Sequence, residues 1–170
     1  QEGASKIFPE AWEKFLEPID IDQRNTLMSA YHKIFKSDNE DKKLSAAIAW
    51  SRWEGSTSSL NYNPDMANSF SDPKFALAFA LIENHYFVNK GFLEHENQLI
   101  ETGIDIIRHI PTTIVQGRYD IVCPMTTAWE LSKNWPEAKL IIAPSSGHTA
   151  FEKEITHELI SATERFASNG

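Results

Sequence analysis

Hydrophobic residues in the first part of the chain, up to about residue 107, recur with the period of α-helices. One such stripe, at spacings of three and four, consists of Leu27, Ala30, Tyr31, Ile34 and Phe35. This spacing places apolar side chains on one face of a helix, and prolines at the starts of several segments suit the first helical position. The pattern predicts helix after helix, with no convincing strand.

Two of these helices carry specific expectations. Residues 42–53 read as a helix, but the following Gly55-Ser56-Thr57-Ser58-Ser59 is a poor continuation and is expected to fray its end. Residues 74–88 are apolar nearly all round, which is typical of a helix that is buried on most sides.

The pattern changes near residue 103, where β-rich runs begin to alternate with helical segments. Strands are predicted at 112–116 and 139–143, with a helix over 124–135 between them and a final helix through Phe166. This order is typical of a parallel crossover unit.

Two parallel strands do not make a stable sheet alone, because parallel sheets are covered by helices on both faces. The predicted fold class is therefore α/β: a helical cap domain at 1–107, followed at 108–170 by the last two parallel strands and helices of a larger core. In this interpretation the sheet is incomplete and the helices cover its rim.

Composition narrows the possible partners and compartments. The 170 residues carry a net charge of -8, which disfavours nucleic acid and anionic membranes. No apolar run approaches the roughly 20 residues of a spanning helix, and no leader is visible at the start of the sequence. The single cysteine, Cys123, fits a reducing compartment, so a cytoplasmic location is expected. The histidines show no metal-binding spacing, and we expect neither a metal nor a cofactor.

Candidate chemistry lies directly after the two predicted strands. Asp120 follows the first strand and His148 the second, 28 residues apart. Carboxyl ends of parallel strands share one rim of a sheet, where ligands gather, and a histidine base needs an acid to fix its tautomer. Taken singly, Asp120 could be a turn or capping residue and His148 a surface or core histidine. Together they predict a catalytic acid and base.

The motifs around this pair resemble the C-terminal region of the proline iminopeptidases, α/β-hydrolases that remove N-terminal proline from peptides. The resemblance spans nearly the whole chain, and the segments that carry it are 117–124, 128–129, 135–138, 147–148, 7–12, 49–55 and 82–89. It implies that Asp120 is the acid and His148 the general base of a Ser-Asp-His triad.

The same resemblance implies that Glu54 and Glu83 hold the substrate's amino end and that Phe87 lines the pocket for the proline ring. Carboxylates recognise an ammonium by charge-assisted hydrogen bonds. The simpler interpretations are solvated helix charges for the two glutamates and ordinary cap packing for Phe87. Cys123 is expected to be a small core residue, since free cysteines are often buried.

The sequence departs from the family in one respect: it contains no Gly-x-Ser-x-Gly nucleophile motif. The chain is expected to be the C-terminal half of a hydrolase, with the N-terminal half as its partner and little or no turnover alone. Two alternatives stay open: a related hydrolase for another acyl or ester substrate, and a non-catalytic module that binds a partner or itself. The oligomeric state is left open.

Overall fold

The computed structural model describes residues 3–168, which contain both α-helices and β-strands. The α-helices are Ala4–Ile7 (α1), Pro9–Leu16 (α2), Leu27–Phe35 (α3), Glu40–Thr57 (α4), Pro64–Ser69 (α5), Pro73–Val88 (α6), Ile104–Ile107 (α7), Met125–Asn134 (α8) and Lys153–Ser168 (α9). The strands are Thr113–Gly117 (β1) and Lys139–Ala143 (β2). Shorter helical turns lie at Ile21–Thr26, Lys90–Phe92 and Leu99–Gly103. Of the helices described, none has the length and apolarity needed to cross a membrane.

The chain divides into two compact units. The first, called here the helical unit, comprises the residues up to Thr57 together with Tyr62–Leu93. The second, the strand unit, comprises Ser58–Asn61 and the residues from Glu94 onward. The division into a cap at 1–107 and a core at 108–170 stays a prediction.

Helix α4 is central to the helical unit, where it packs against α2, α3, α5 and α6. Five aromatic side chains form a connected cluster around it: Phe15, Tyr31, Phe35, Trp50 and Trp53. Trp50 is 1% exposed, so its ring is fully buried. Rings of this size contribute much of the apolar area that a small helical unit can bury.

The predicted fraying after residue 53 is wrong. Helix α4 continues to Thr57, and Gly55, Ser56 and Thr57 are all buried. The hydroxyl of Ser56 donates to the carbonyl oxygen of Arg52 at 2.7 Å, and that of Thr57 to the carbonyl of Trp53 at 3.2 Å. Since these hydroxyls are satisfied within the helix, burial overrides their low helix propensity.

The expectation that residues 74–88 are buried on most sides is also wrong. In α6 the buried residues are Ala76, Ala80 and Asn84, which lie at i, i+4 and i+8 on one face. Large apolar residues on the other faces are exposed, among them Ile82 at 61%. The small alanines let α4 pack closely against this one face of α6. The number of apolar residues in the segment does not reveal which face that is.

Strands β1 and β2 pair in parallel in the strand unit, with Thr113 opposite Lys139 and Gly117 opposite Ala143. Helices α8 and α9 pack against both strands. A small core of Ile104, Trp135 and Ala138 lies beside them. The predicted strands are confirmed, the first displaced by one residue, and the described sheet is a partial α/β core.

Candidate active site

The two residues predicted to act as acid and base come together in the strand unit. Asp120 lies in the turn that follows β1, and His148 lies in the loop that follows β2. The Nδ1 atom of His148 is 2.9 Å from Oδ2 of Asp120. The carboxylate side chain is 5% exposed and the imidazole 37%, so the acid is buried while the histidine reaches the surface.

The Asp120 carboxylate is held by further hydrogen bonds from its own strand and loop. Its Oδ1 accepts from the backbone N–H of Val122 at 3.0 Å and of Cys123 at 2.8 Å. Its Oδ2 accepts from Nε2 of Gln116 at 3.0 Å. These donors fix the plane of the carboxylate, which in turn fixes the ring of His148. Gln116 belongs to the site although the sequence motifs do not single it out.

These contacts shift both pKa values in the directions that favour an ion pair. Burial alone would raise the pKa of Asp120, but the hydrogen bonds from His148, Cys123 and Gln116 outweigh it and hold the pKa below its usual value of 3.8. The pKa of His148 is raised to about 10, chiefly by the hydrogen bond to Asp120 and next by one to the side chain of Cys123. The carboxylate and the imidazole therefore stabilise each other's charged forms.

The prediction that Cys123 is a buried core residue is wrong, because Cys123 is exposed. The loop after Asp120 turns the backbone N–H of Cys123 inward to the carboxylate. Its side chain lies at the surface instead of packing in the core. Cys123 is thus a neighbour of the acid and base, which a lone cysteine in a sequence does not reveal.

A close approach of two backbone segments brings the acid and base together. The N–H groups of Arg118 and Tyr119 donate to the carbonyl oxygens of Ala143 and Ser146, both at 2.9 Å. A Cβ atom at Gly117 would overlap the carbonyl oxygen of Gly147. The glycine that ends β1 therefore lets the loop that carries His148 pass directly over the end of that strand.

The residues predicted to bind substrate lie around Trp50 in the helical unit. The indole N–H of Trp50 donates to Oε2 of Glu83 at 2.7 Å. The ring of Phe87, which is 51% exposed, has its centroid 6.0 Å from that of Trp50. Glu54 lies one helical turn after Trp50, on the same face of α4. Trp50 thus contacts Glu83 and Phe87 and lies one helical turn before Glu54, and sequence reasoning assigned it no role.

No three His, Cys, Asp or Glu side chains between residues 3 and 168 are grouped so as to hold a metal ion.

Sequence comparison with known proteins identifies the family of this chain. Residues 1–155 match the family described as the alpha/beta hydrolase fold, and the chain belongs to that family. It is 51% identical over 168 residues to a probable proline iminopeptidase of Leptolyngbya boryana, covering 99% of this chain and 52% of the relative. It is 53% identical over 167 residues to the proline iminopeptidase of Xanthomonas citri, covering 98% and 53%.

A plant relative is similar over the same region. The proline iminopeptidase of Arabidopsis thaliana is 49% identical over 164 residues, covering 96% of this chain and 43% of the relative. The chain spans about half the length of the curated relatives it matches.

We expect His148 to titrate far above its usual value of 6.5, with a midpoint near 10. Because the pKa is raised on folding, the interaction stabilises the fold fully below pH 6.5 and is lost as the pH rises through about 10. Asp120 has a lowered pKa, so its contribution is present above pH 3.8 and is lost as the pH falls through the lowered value. Nuclear magnetic resonance of ¹⁵N-histidine-labelled protein measures the midpoint directly.

Two substitutions serve as controls for this titration. Asp120→Asn should move the midpoint back towards 6.5 because it removes the principal cause of the shift. Cys123→Ala should lower it by a smaller amount because that side chain is the second cause. A midpoint near 6.5 in the unsubstituted protein would contradict the described pairing.

Proposed function

We propose that this chain is the C-terminal portion of a serine aminopeptidase that releases N-terminal proline from short peptides. The observation that carries the proposal is the Asp120–His148 pair, joined at 2.9 Å beyond the ends of two parallel strands. The relatives named above support the substrate class, since they are called proline iminopeptidases. The single cysteine supports a reducing, cytoplasmic location.

In the proposed reaction a serine hydroxyl attacks the carbonyl carbon of the N-terminal proline residue. His148 takes the hydroxyl proton on Nε2, the ring nitrogen that does not face Asp120, and then gives it to the leaving amine. Water later repeats the attack on the acyl-enzyme, with His148 again accepting and returning the proton. Asp120 holds the tautomer and stabilises the imidazolium. Since the pKa of His148 is about 10, the base form becomes more populated as the pH rises.

The proposed serine and its oxyanion donors come from the part of the relatives that this chain does not match. None of the 170 residues forms a Gly-x-Ser-x-Gly motif, and the matches cover 52% and 53% of the first two relatives. We propose that the N-terminal half of the hydrolase is the partner that completes the site. An acid and base without a nucleophile supply little catalysis.

Recognition of the substrate is assigned to the face around Trp50. The prolyl nitrogen is a secondary ammonium, and a carboxylate that is already oriented binds it with a smaller entropic cost. Glu83 has such an orientation because the indole N–H of Trp50 fixes one of its oxygens at 2.7 Å. Glu54 supplies the second negative charge, and the half-exposed ring of Phe87 offers an apolar surface to the pyrrolidine ring.

The complete polypeptide is this chain together with the proposed N-terminal half of the hydrolase. In it, Glu83→Gln should raise KM for proline p-nitroanilide about tenfold, with a smaller effect on kcat. The physical reason is the loss of one charge-assisted hydrogen bond, which contributes about 1.5–3 kcal/mol. Steady-state kinetics with this substrate and with p-nitrophenyl acetate, which has no ammonium, measure the effect. The ester should be cleaved equally well by both proteins.

Glu13→Gln is the matched control, because Glu13 is an exposed glutamate on α2 of the same unit. It should leave both substrates unaffected. If the unsubstituted polypeptide refuses prolyl substrates but cleaves esters, the alternative of an ester hydrolase is favoured. If it cleaves neither while remaining folded, the proposal fails in favour of a non-catalytic module.

A further inference from the structure

The loop between β2 and α9, residues 144–152, carries His148, and two glutamates bind its backbone. Glu154 lies in the first turn of α9, and its Oε2 accepts from the N–H of Ser145 at 2.8 Å and the hydroxyl of Ser146 at 3.1 Å. Glu152 lies just before α9 and binds the loop closer to His148. The two acids therefore hold neighbouring parts of one loop in different ways.

Glu152 uses both of its carboxylate oxygens, and each binds a different segment of backbone. Its Oε2 accepts from the N–H of Gly147 at 2.8 Å. Its Oε1 accepts from the N–H of Leu60 at 2.6 Å. Both are charge-assisted hydrogen bonds, which are shorter and stronger than neutral ones. A single side chain thus joins the residue before His148 to the segment Ser58–Asn61 of the same unit.

The same segment also binds the backbone of His148 itself. The N–H groups of His148 and Thr149 both donate to the carbonyl oxygen of Ser58 at 2.9 Å. A Cβ atom at Gly147 would lie 2.8 Å from the nitrogen of Leu60, so the two segments are in direct contact. The backbone position of His148 therefore depends on how the segment Ser58–Asn61 is held, and the Glu152 carboxylate holds it through the N–H of Leu60.

We propose that Glu152 is a positioning residue for the reaction, which sets the place of the His148 ring by joining Gly147 to Leu60. Glu152 does not touch the reacting atoms; it acts through the backbone next to the base. The kinetic consequence rests on the proposed function, but the effect on the ring does not. A displacement of a catalytic group by about 1 Å is enough to cost about 100-fold in rate.

The two glutamates allow a matched experiment in the complete polypeptide. Glutamine offers one oxygen and one NH₂ group, so Glu152→Gln must leave one of the two amides facing a donor. Glu154→Gln can keep both of its contacts, because a single oxygen makes them. We expect Glu152→Gln to lower kcat for proline p-nitroanilide about tenfold or more, with KM changed less than about twofold. Glu154→Gln should change neither by more than about twofold.

A spectroscopic readout separates positioning from general loss of stability. The Nδ1–H proton of His148 is hydrogen-bonded to Asp120, and such protons resonate far downfield. In Glu152→Gln this resonance should move upfield or broaden, while in Glu154→Gln it should stay in place. Glu152→Asp, which is one methylene too short to reach both amides, should act in the same direction if the glutamine variant does not fold.

The outcomes distinguish this inference from the proposed function. An unchanged resonance and unchanged kcat in Glu152→Gln overturn the positioning role, as do equal losses in the two glutamine variants, which indicate only a destabilised loop. If the unsubstituted polypeptide does not cleave prolyl substrates, the proposed function fails, and the resonance alone then decides the role of Glu152.

Discussion

Asp120→Asn in the complete polypeptide should lower kcat for proline p-nitroanilide about 10,000-fold and leave KM within a few-fold of its original value. The carboxylate accepts four hydrogen bonds in the described site, from His148, Gln116, Val122 and Cys123. Asparagine has the same shape, but its NH₂ group cannot accept from Nδ1–H of His148. The ring would then adopt the other tautomer, with its proton on the nitrogen that must act as the base.

Asp105→Asn is the matched control for this substitution. Asp105 is an exposed aspartate of the same unit, 3.2 Å from the guanidinium of Arg108, and exposed ion pairs contribute at most about 1 kcal/mol. Its replacement should leave the kinetics unchanged. Steady-state rates for both variants, each checked for folding by circular dichroism, decide the matter. A loss of less than about tenfold in Asp120→Asn would remove Asp120 from the proposed role.

The elements that the sequence predicts well are those that depend on local pattern. Alternating β-rich and helical runs after residue 103 identified both strands within one residue of their observed bounds. Parallel pairing follows from the helix between them, and it places the residues after the two strands at one rim. For this reason the proximity of Asp120 and His148 could be predicted from strand ends alone.

The predictions that fail concern which faces of a helix are covered. Residues 74–88 carry apolar side chains all round, yet only Ala76, Ala80 and Asn84 are buried in α6. Asn84 can be buried because its amide donates to the carbonyl of Met28 at 3.0 Å and its Oδ1 pairs with Nδ1 of His32 at 2.8 Å. Such long-range partners override the local pattern and are not readable from spacing.

Some neighbours of the predicted residues were not singled out by the sequence, because they act through contacts distant along the chain or through backbone groups. Glu152 resembles an ordinary acidic residue beside a helix start, where the helix macrodipole stabilises a negative charge, but it also binds the backbone of the loop that carries His148. For Trp50 the sequence did offer an indication, because an indole N–H that becomes buried usually needs a hydrogen-bond acceptor nearby. Gln116 offered a weaker signal, as a polar residue directly after the apolar Ile114 and Val115 near the end of the strand.

Gly117→Ala should destabilise the strand unit by about 3 kcal/mol and also disturb the acid and base. The added methyl group would overlap the carbonyl oxygen of Gly147 and lie close to that of Ser146. Neither neighbour is the flexible end of a side chain, so the loop that precedes His148 must move away from β1. Hydrogen–deuterium exchange of the amides in β1 and β2, measured in the complete polypeptide, should report the loss of protection.

Gly103→Ala is the matched control for Gly117→Ala, because it adds the same methyl group at a position with room for it. Gly103 has helical dihedral angles, and a Cβ atom there would meet its nearest neighbours at 3.7 Å, an ordinary contact. An alanine in helical conformation is favoured over glycine by about 1 kcal/mol, so this variant should keep or increase protection. In Gly117→Ala, the downfield Nδ1–H resonance of His148 should also weaken, because its bond to Asp120 at 2.9 Å depends on the loop's position. Equal amide protection in the two variants would mean that the loop can move away from β1 without loss of stability. The close approach at Gly117 would then not be what holds His148 against Asp120.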